Sequence, residues 1–540
     1  MAASYSPNAI IIGAGPGGIS LAYRLRYELG FEDFLIYDKL DGVGGTWRTN
    51  TYPGCGCDLP SHLYSFSFNL NPNWSKELCE QPEILQYIED TVDRFDLRKH
   101  VITSVECTGA SWDEECQEWA VALRDNKTGL EFVRRATILV SAVGAISFPR
   151  DIQFPGMHRF QGPMMHTARW DHSIDYTGKR VAVIGNGCSA AQVVPAMAQK
   201  AGFPNHQFSA FEKWSLRWIP LLQRWLRLRI FLQAEAESDT YFPSPEGIQA
   251  RLEAEEESKK YIHSRTPGKY WKFIVPDFPL GCKRRIFDPD YLDSLHRKNV
   301  ELRNEGIQEF TERGIIGTSG DEFEADIIIL ATGFQVSQFL TPMEITGRRG
   351  ASLNRQWEES RGAQAYFGTY VHNFPNMAII FGPNTFPANN SALFACETQV
   401  AYAVKSLFTP ILDRCASMVE VKQSAEEKHT NLIQLRLKDT VFAGDCSNWY
   451  IGKHGRNAAS WPGRAASLWM ETYFPDWSAF TLTGGLWTWP LYRLRRWLRV
   501  RWSVRLGVLL AGLALLSARK GYGWVFARRV LEDRIKWLGL

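Results

Sequence analysis

The sequence predicts an α/β protein built from two doubly wound, Rossmann-type dinucleotide-binding domains, and three features predict it. Ala9-Ile10-Ile11-Ile12 is a short apolar run that stops at Gly13, as a strand buried in a parallel sheet does. A helix-like stretch follows from Gly17 to Leu29, and a second apolar run, Phe34 to Tyr37, ends at Asp38. The same succession recurs at Val181-Ala182-Val183-Ile184, then Gly185, a helix-like stretch and an extended Gln207 to Phe211. Two such units suggest two nucleotides. The third feature is another buried strand, Asp326 to Leu330, which runs into Ala331-Thr332-Gly333. Between Leu221 and Ile262 the chain is charged, rich in Leu, Arg and Glu, and broken by Pro243 and Pro245. It reads as a helical insertion in the second unit, a solvated decoration, with a lid as the alternative.

The 540 residues allow two or three domains with well-buried cores, and 45% hydrophobic with 22% charged residues is an ordinary globular composition. The net charge of +3 is unevenly spread: from Leu486 onward, 12 Lys/Arg face only Glu532 and Asp533, a balance of +10 that leaves the rest near −7. Nothing here predicts a nucleic-acid partner. The ten cysteines are scattered, with only Cys55 and Cys57 close together and no paired CxxC units for zinc. No metal is expected. The apolar strand near the N-terminus leaves no room for a secretory signal, so a reduced intracellular protein with free thiols is expected.

Gly13-Ala14-Gly15-Pro16-Gly17-Gly18 fits GxGxxG between strand and helix. Gly13 permits the tight turn, Gly15 lets the backbone approach a pyrophosphate, and Gly18 allows close helix–strand packing. The following helix N-terminus offers N–H groups to phosphates, and Asp38 is placed to accept from ribose hydroxyls. Gly185-Asn186-Gly187-Cys188-Ser189-Ala190 is the second such loop, with Ala190 in the third position. Glu212 sits where an acid would bind a free ribose 2′-hydroxyl, favouring NADH, whereas Lys213 beside it would pair with a 2′-phosphate, favouring NADPH. The residues leave that choice open.

Two longer patterns point to a family. Phe160 to Asp171 satisfies FxGxxxHxxxW(P/D), and Gly44 to Asp58 satisfies GGxWxxxx(F/Y)P(G/M)xxxD in full. With these, the chain resembles the type I Baeyer–Villiger monooxygenases up to about Asp476. The resemblance implies FAD and NADPH as cofactors, O2 and an apolar ketone as substrates, and an ester or lactone as product. It implies a split FAD domain (1–150 and 331–480), an inserted NADP domain (151–330, with the helical insertion at about 221–275) and a separate tail (481–540). Gly45, Thr46, Trp47 and Asp58 of the second pattern would belong to the cofactor site. Trp47, Tyr52 and Trp449 would line the flavin or substrate cavity, although aromatic core is an alternative for each.

In such enzymes the reacting species is a deprotonated C4a-peroxyflavin. An anion held near an apolar substrate needs a positive charge that keeps its proton, and arginine supplies one because its pKa stays above about 12. Gly281-Cys282-Lys283-Arg284 resembles the family's Lys-Arg segment, which assigns the catalytic role to Arg284 and a place near the NADP 2′-phosphate to Lys283. The family's partner carboxylate falls on Asp58. His166 and Trp170 would belong to a linker coupling domain motion to cofactor binding rather than to proton transfer. The family commonly has Gln-Arg where this chain has Glu212-Lys213, a weaker phosphate site, and Lys283 tips the expectation to NADPH.

Two other enzyme classes share the layout. An N- or S-oxygenating flavin monooxygenase is opposed only by Trp170-Asp171 and Arg284. A flavin disulfide reductase would place cysteines where this chain has Trp47 and Tyr52. A non-catalytic nucleotide-bound membrane module is opposed by the presence of both Asp58 and Arg284. The tail alternates Arg493, Arg495, Arg496, Arg499 and Arg501 with Trp497, Leu498 and Trp502, then turns apolar from Leu506 to Ala518. Those thirteen residues fall short of the ~20 that cross a bilayer. The pattern suits an interfacial helix, peripheral on the cytoplasmic side of an intracellular membrane, with packing on the protein's own surface as the alternative.

Overall fold

The computed structural model describes residues 7–484 other than 145, 147, 199–204, 289, 337, 338, 341, 388, 445 and 447. The tail from residue 485 therefore lies outside the described residues, and so does Ser447. The predicted α/β architecture is present. Five parallel strands run in the order Met377–Ile379, Ile138–Ser141, Ala9–Ile12, Phe34–Asp38 and Val101–Thr103. The apolar run 9–12 is buried on both faces because it lies at the centre of this sheet. Its first edge strand comes from 377–379, so the chain leaves the sheet after Ser141 and returns to complete it much later.

In between, three parallel strands, Met164–His166, Ile327–Leu330 and Val181–Ile184, make the second nucleotide-type sheet. The 326–330 run is thus the middle strand of the smaller sheet. An antiparallel meander, Val105–Asp113, Glu118–Asp125 and Glu131–Ala136, carries Glu344–Thr346 on its outer edge. It covers the first sheet, with Trp119 fully buried and its indole N–H donating to the Pro375 carbonyl at 2.9 Å. Its alternation of buried and half-buried positions was present in the sequence, but no glycine loop flags it.

One expectation is corrected here. Gln207 to Phe211 does not form the second strand of the inserted unit. Ser209 instead caps a helix, Ala210–Trp218: its hydroxyl accepts from the Glu212 amide while the Glu212 carboxylate accepts from the Ser209 amide. A Ser-x-x-Glu box satisfies two otherwise orphaned helix N–H groups, and it outweighs the extended tendency of the flanking residues. The segment also docks on the first domain, where the Phe208 amide donates to Ser75 O at 3.0 Å. The predicted insertion is helical, as Leu222–Glu237 and Pro245–Arg265.

Candidate active site

Both glycine loops stand at the carboxyl ends of their sheets, where open α/β sheets bind ligands. They open into one cleft of about 1240 Å³. Gly13 has φ +107°, and a Cβ there would sit 2.6 Å from the Ala142 carbonyl oxygen. Gly185 repeats this geometry, with φ +121° and a virtual Cβ 2.4 Å from the Ala331 carbonyl oxygen. A Cβ on Gly18 would come within 2.0 Å of the Gly13 carbonyl oxygen, so the helix lies against its own loop.

The helices that follow, Pro16–Tyr27 and Cys188–Met197, have Gly15 and Gly187 at their N-caps and no side chain on their first N–H groups. A Cβ on Gly187 would meet nothing within 4 Å. Each loop therefore offers bare backbone donors and open space, a fit for the phosphates of two dinucleotides. Asp38 lines the cleft, but its two oxygens already accept from the amides of Ala14 at 2.6 Å and Leu40 at 2.9 Å. It fixes the loop to the end of its strand and retains lone pairs for a ribose.

The segment from Gly44 to Asp58 crosses the cleft. Gly45 packs on Gly15: a Cβ on Gly45, at φ +55°, would lie 2.9 Å from the Gly15 Cα. Thr46 and Trp47 begin a helical turn lining the cleft, and the Trp47 indole donates to the Tyr64 hydroxyl at 2.9 Å. Tyr52 donates to the Gln192 side-chain carbonyl at 2.7 Å, and the Gln192 amide donates to Gly56 O at 3.0 Å. Gln192 belongs to the Cys188 helix, so the second domain braces the loop that ends at Asp58. No motif in the sequence marks Gln192.

Asp58 and Arg284, 226 residues apart, meet in this cleft: Arg284 Nη2 donates to Asp58 Oδ2 at 2.7 Å. Burial of Arg284 works against its charge, yet the Asp58 carboxylate beside it outweighs that and holds the guanidinium above its ordinary range. The Arg284 guanidinium carbon also lies 5.5 Å from the Phe386 ring centroid. Cys188 starts a helix near this charge, but burial pushes its thiol up, as it does for Cys57. Neither is a ready nucleophile. Among the cations that line the cleft, Arg284 is the one paired with Asp58.

Lys283 also lines the cleft, its ammonium 4.4 Å from the Phe278 ring centroid. Lys213 is not brought there. It lies in the Ala210–Trp218 helix, away from the cleft walls, because the capped helix replaces the strand that would have carried it. Glu212 is engaged by Ser209 and by His206 at 2.9 Å. Ala190 is buried in its helix. His166 is buried and accepts from the Ala168 amide at 3.0 Å, and burial lowers its pKa, which suits a neutral structural group.

The expectation of free thiols is also corrected. Cys282 and Cys446 form a disulfide, with Cα atoms 6.2 Å apart and 164 residues between them in sequence. Linear scatter conceals pairs that the fold brings together. The bond ties the Lys283-Arg284 segment to the loop that leads to Asn448 and Trp449 in the cleft wall. Cys55, Cys57, Cys79, Cys107, Cys116, Cys188 and Cys396 remain thiols.

The chain is similar to known proteins. Residues 11–81 match the NAD(P)-binding Rossmann-like domain family. A Baeyer–Villiger monooxygenase of Pseudomonas aeruginosa is 35% identical over 492 residues, 88% of this chain and 91% of that protein. Among solved structures, OTEMO in complex with FAD and NADP superposes with a TM-score of 0.76 at 25% identity, over 89% of this chain and 100% of that one. The closed crystal structure of cyclohexanone monooxygenase gives a TM-score of 0.77 at 25% identity with the same coverage.

Proposed function

The chain belongs to the Baeyer–Villiger monooxygenases, and on that premise we propose that Arg284, held by Asp58, supplies the fixed charge of its reaction and that Lys283 meets the coenzyme. The protein is an FAD-dependent enzyme that uses NADPH to convert a ketone to an ester or lactone. Bound FAD, reduced by NADPH, supplies the oxygen-activating chemistry.

The observation that carries the residue assignment is the 2.7 Å Arg284–Asp58 pair in the cleft where both glycine loops converge. Arg284 would present a permanent positive charge to the already anionic oxygen being transferred and to the ketone oxygen as negative charge develops on it. Held in place on the cleft wall, such a charge need not reorganise as the reaction proceeds. Asp58 orients the guanidinium and keeps it protonated. Phe386 and Trp449 give the same wall an apolar surface for a hydrocarbon-rich ketone.

The test is product mass after incubating FAD-loaded protein with NADPH, labelled O2 and a panel of ketones and thioethers. A labelled ester or lactone is expected. Sulfoxide without ester would put heteroatom oxygenation first.

For the coenzyme, Lys283 replaces Lys213 as the phosphate-side cation that fits. Lys283→Ala is expected to raise KM for NADPH by about tenfold or more, with KM for NADH little changed, since a charge-assisted contact to phosphate is lost. Equal effects on both coenzymes would remove Lys283 from the 2′-phosphate. The basic, Trp-rich tail is proposed to lie on a membrane surface. No helix of the described residues is long and apolar enough to cross a bilayer.

A further inference from the structure

The helices Ala210–Trp218 and Leu222–Glu237 are joined by a short turn at which Leu221 takes φ 65°. Their inward side mixes Leu222, Leu226, Ile230 and Phe231 with buried polar groups: Arg227 donates to the carbonyls of His62 at 3.1 Å and Ser65 at 2.6 Å. Gln223 lies 3.4 Å from the His62 ring nitrogen, and buried Glu235 accepts from Asn390 at 2.6 Å. The outward side carries large apolar side chains among arginines. Phe211, Trp214 and Trp218 project from the first helix, and Leu221, Trp225, Leu228 and Leu232 continue along the second, each between 53% and 74% exposed. Spacings of three and four residues make these a stripe on each helix rather than scattered surface residues.

Charge selects the partner. From Lys213 to Gln233 the chain carries Lys213, Arg217, Arg224, Arg227 and Arg229 and no Asp or Glu. Arg217, Arg224 and Arg229 are exposed, with the Arg229 guanidinium 5.5 Å from the Trp225 ring centroid. The protein's own tail, with 12 Lys/Arg against two acids from Leu486 on, is repelled by such a face. A second copy of the same stripe is repelled too. An anionic bilayer complements it: indoles settle at headgroup depth, leucines reach the acyl boundary, and arginines meet phosphates.

We propose that this double-helix face docks the protein on anionic lipid. The placement also serves the cleft. Phe231, in the docking helix, packs its ring 4.8 Å from that of Phe394, and the adjacent Ala392 and Leu393 line the cleft. The substrate site stands one helix from the bilayer, where apolar ketones partition. Docking is independent of the oxidation chemistry, and its test reads binding rather than turnover.

The experiment is co-sedimentation of the full chain with phosphatidylcholine vesicles, with and without phosphatidylglycerol. Two variants, Trp214→Ser/Trp218→Ser/Trp225→Ser and Arg224→Glu/Arg229→Glu, keep the tail intact. The natural chain is expected on phosphatidylglycerol vesicles, and each variant is expected to lose about tenfold or more of that partition, with unchanged turnover of a water-soluble ketone in lipid-free buffer. Variants that bind like the natural chain would assign the contact elsewhere and overturn the proposal. So would a natural chain that ignores anionic vesicles, or one that self-associates through the stripe instead.

Discussion

Arg284→Ala is expected to abolish ester formation, by about a thousandfold or more in kcat, while NADPH still bleaches the flavin absorbance at close to the natural rate. The separation follows from position. The charge lies on the cleft wall beside Asp58 and Phe386, whereas the loops offered to the two cofactors are built from Gly13, Gly15, Gly185 and Gly187. Arg284→Lys tests charge against shape. A lysine retains the positive charge but lacks the planar fork that can hold Asp58 and a reacting oxygen together, so only a fraction of the lost rate is expected back. Asp58→Asn leaves the arginine unoriented, with an expected loss of about tenfold to a hundredfold. Flavin reduction and product mass, measured on the same samples, separate the steps. Ester at the natural rate in Arg284→Ala would end the assignment.

The parts of this site legible in the sequence are those in which one residue's geometry forces one residue type. Gly13 and Gly185 need positive φ beside a carbonyl, and Gly18 needs contact with its own loop; only glycine satisfies each, so the pattern survives in the linear text. Asp58 and Arg284 were reachable through a resemblance spanning longer patterns, because nothing local says that residues 226 positions apart will pair. Gln192, which braces the Asp58 loop, and the Cys282–Cys446 bond were not reachable at all. A glutamine on a helix and two dispersed cysteines take their meaning from what the fold sets opposite them. The misplacement of Lys213 is different in kind. The Ser209–Glu212 capping box was written in the sequence, and it puts Lys213 in a helix outside the cleft lining rather than at the end of a strand. The helices beyond it show the same limit: the Leu and Arg content was visible, but not which of those residues the fold leaves outward, nor that Arg227 and Glu235 take buried partners.

Two alanine substitutions, one in each glycine loop, should separate the roles of the loops. Gly18→Ala puts a methyl group 2.0 Å from the Gly13 carbonyl oxygen, far inside contact distance. Neither partner can easily retreat. Gly13 is pinned by its own approach to Ala142, its amide donates to Tyr37 O at 2.8 Å, and the Pro16–Tyr27 helix is buried along Gly17 to Ala22. The loop must open, and the N–H groups of the helix start swing away from the pyrophosphate position. Flavin content, read as the ratio of flavin to protein absorbance, is expected to fall about tenfold or more, with turnover falling in step. Gly187→Ala is the contrasting case. Its methyl group meets no protein atom within 4 Å, so folding and flavin content should be unchanged. The space it fills is the space the second dinucleotide needs, and KM for NADPH is expected to rise about tenfold or more. Loss of flavin from Gly187→Ala, or full flavin occupancy in Gly18→Ala, would mean that the two loops do not divide the cofactors in this way.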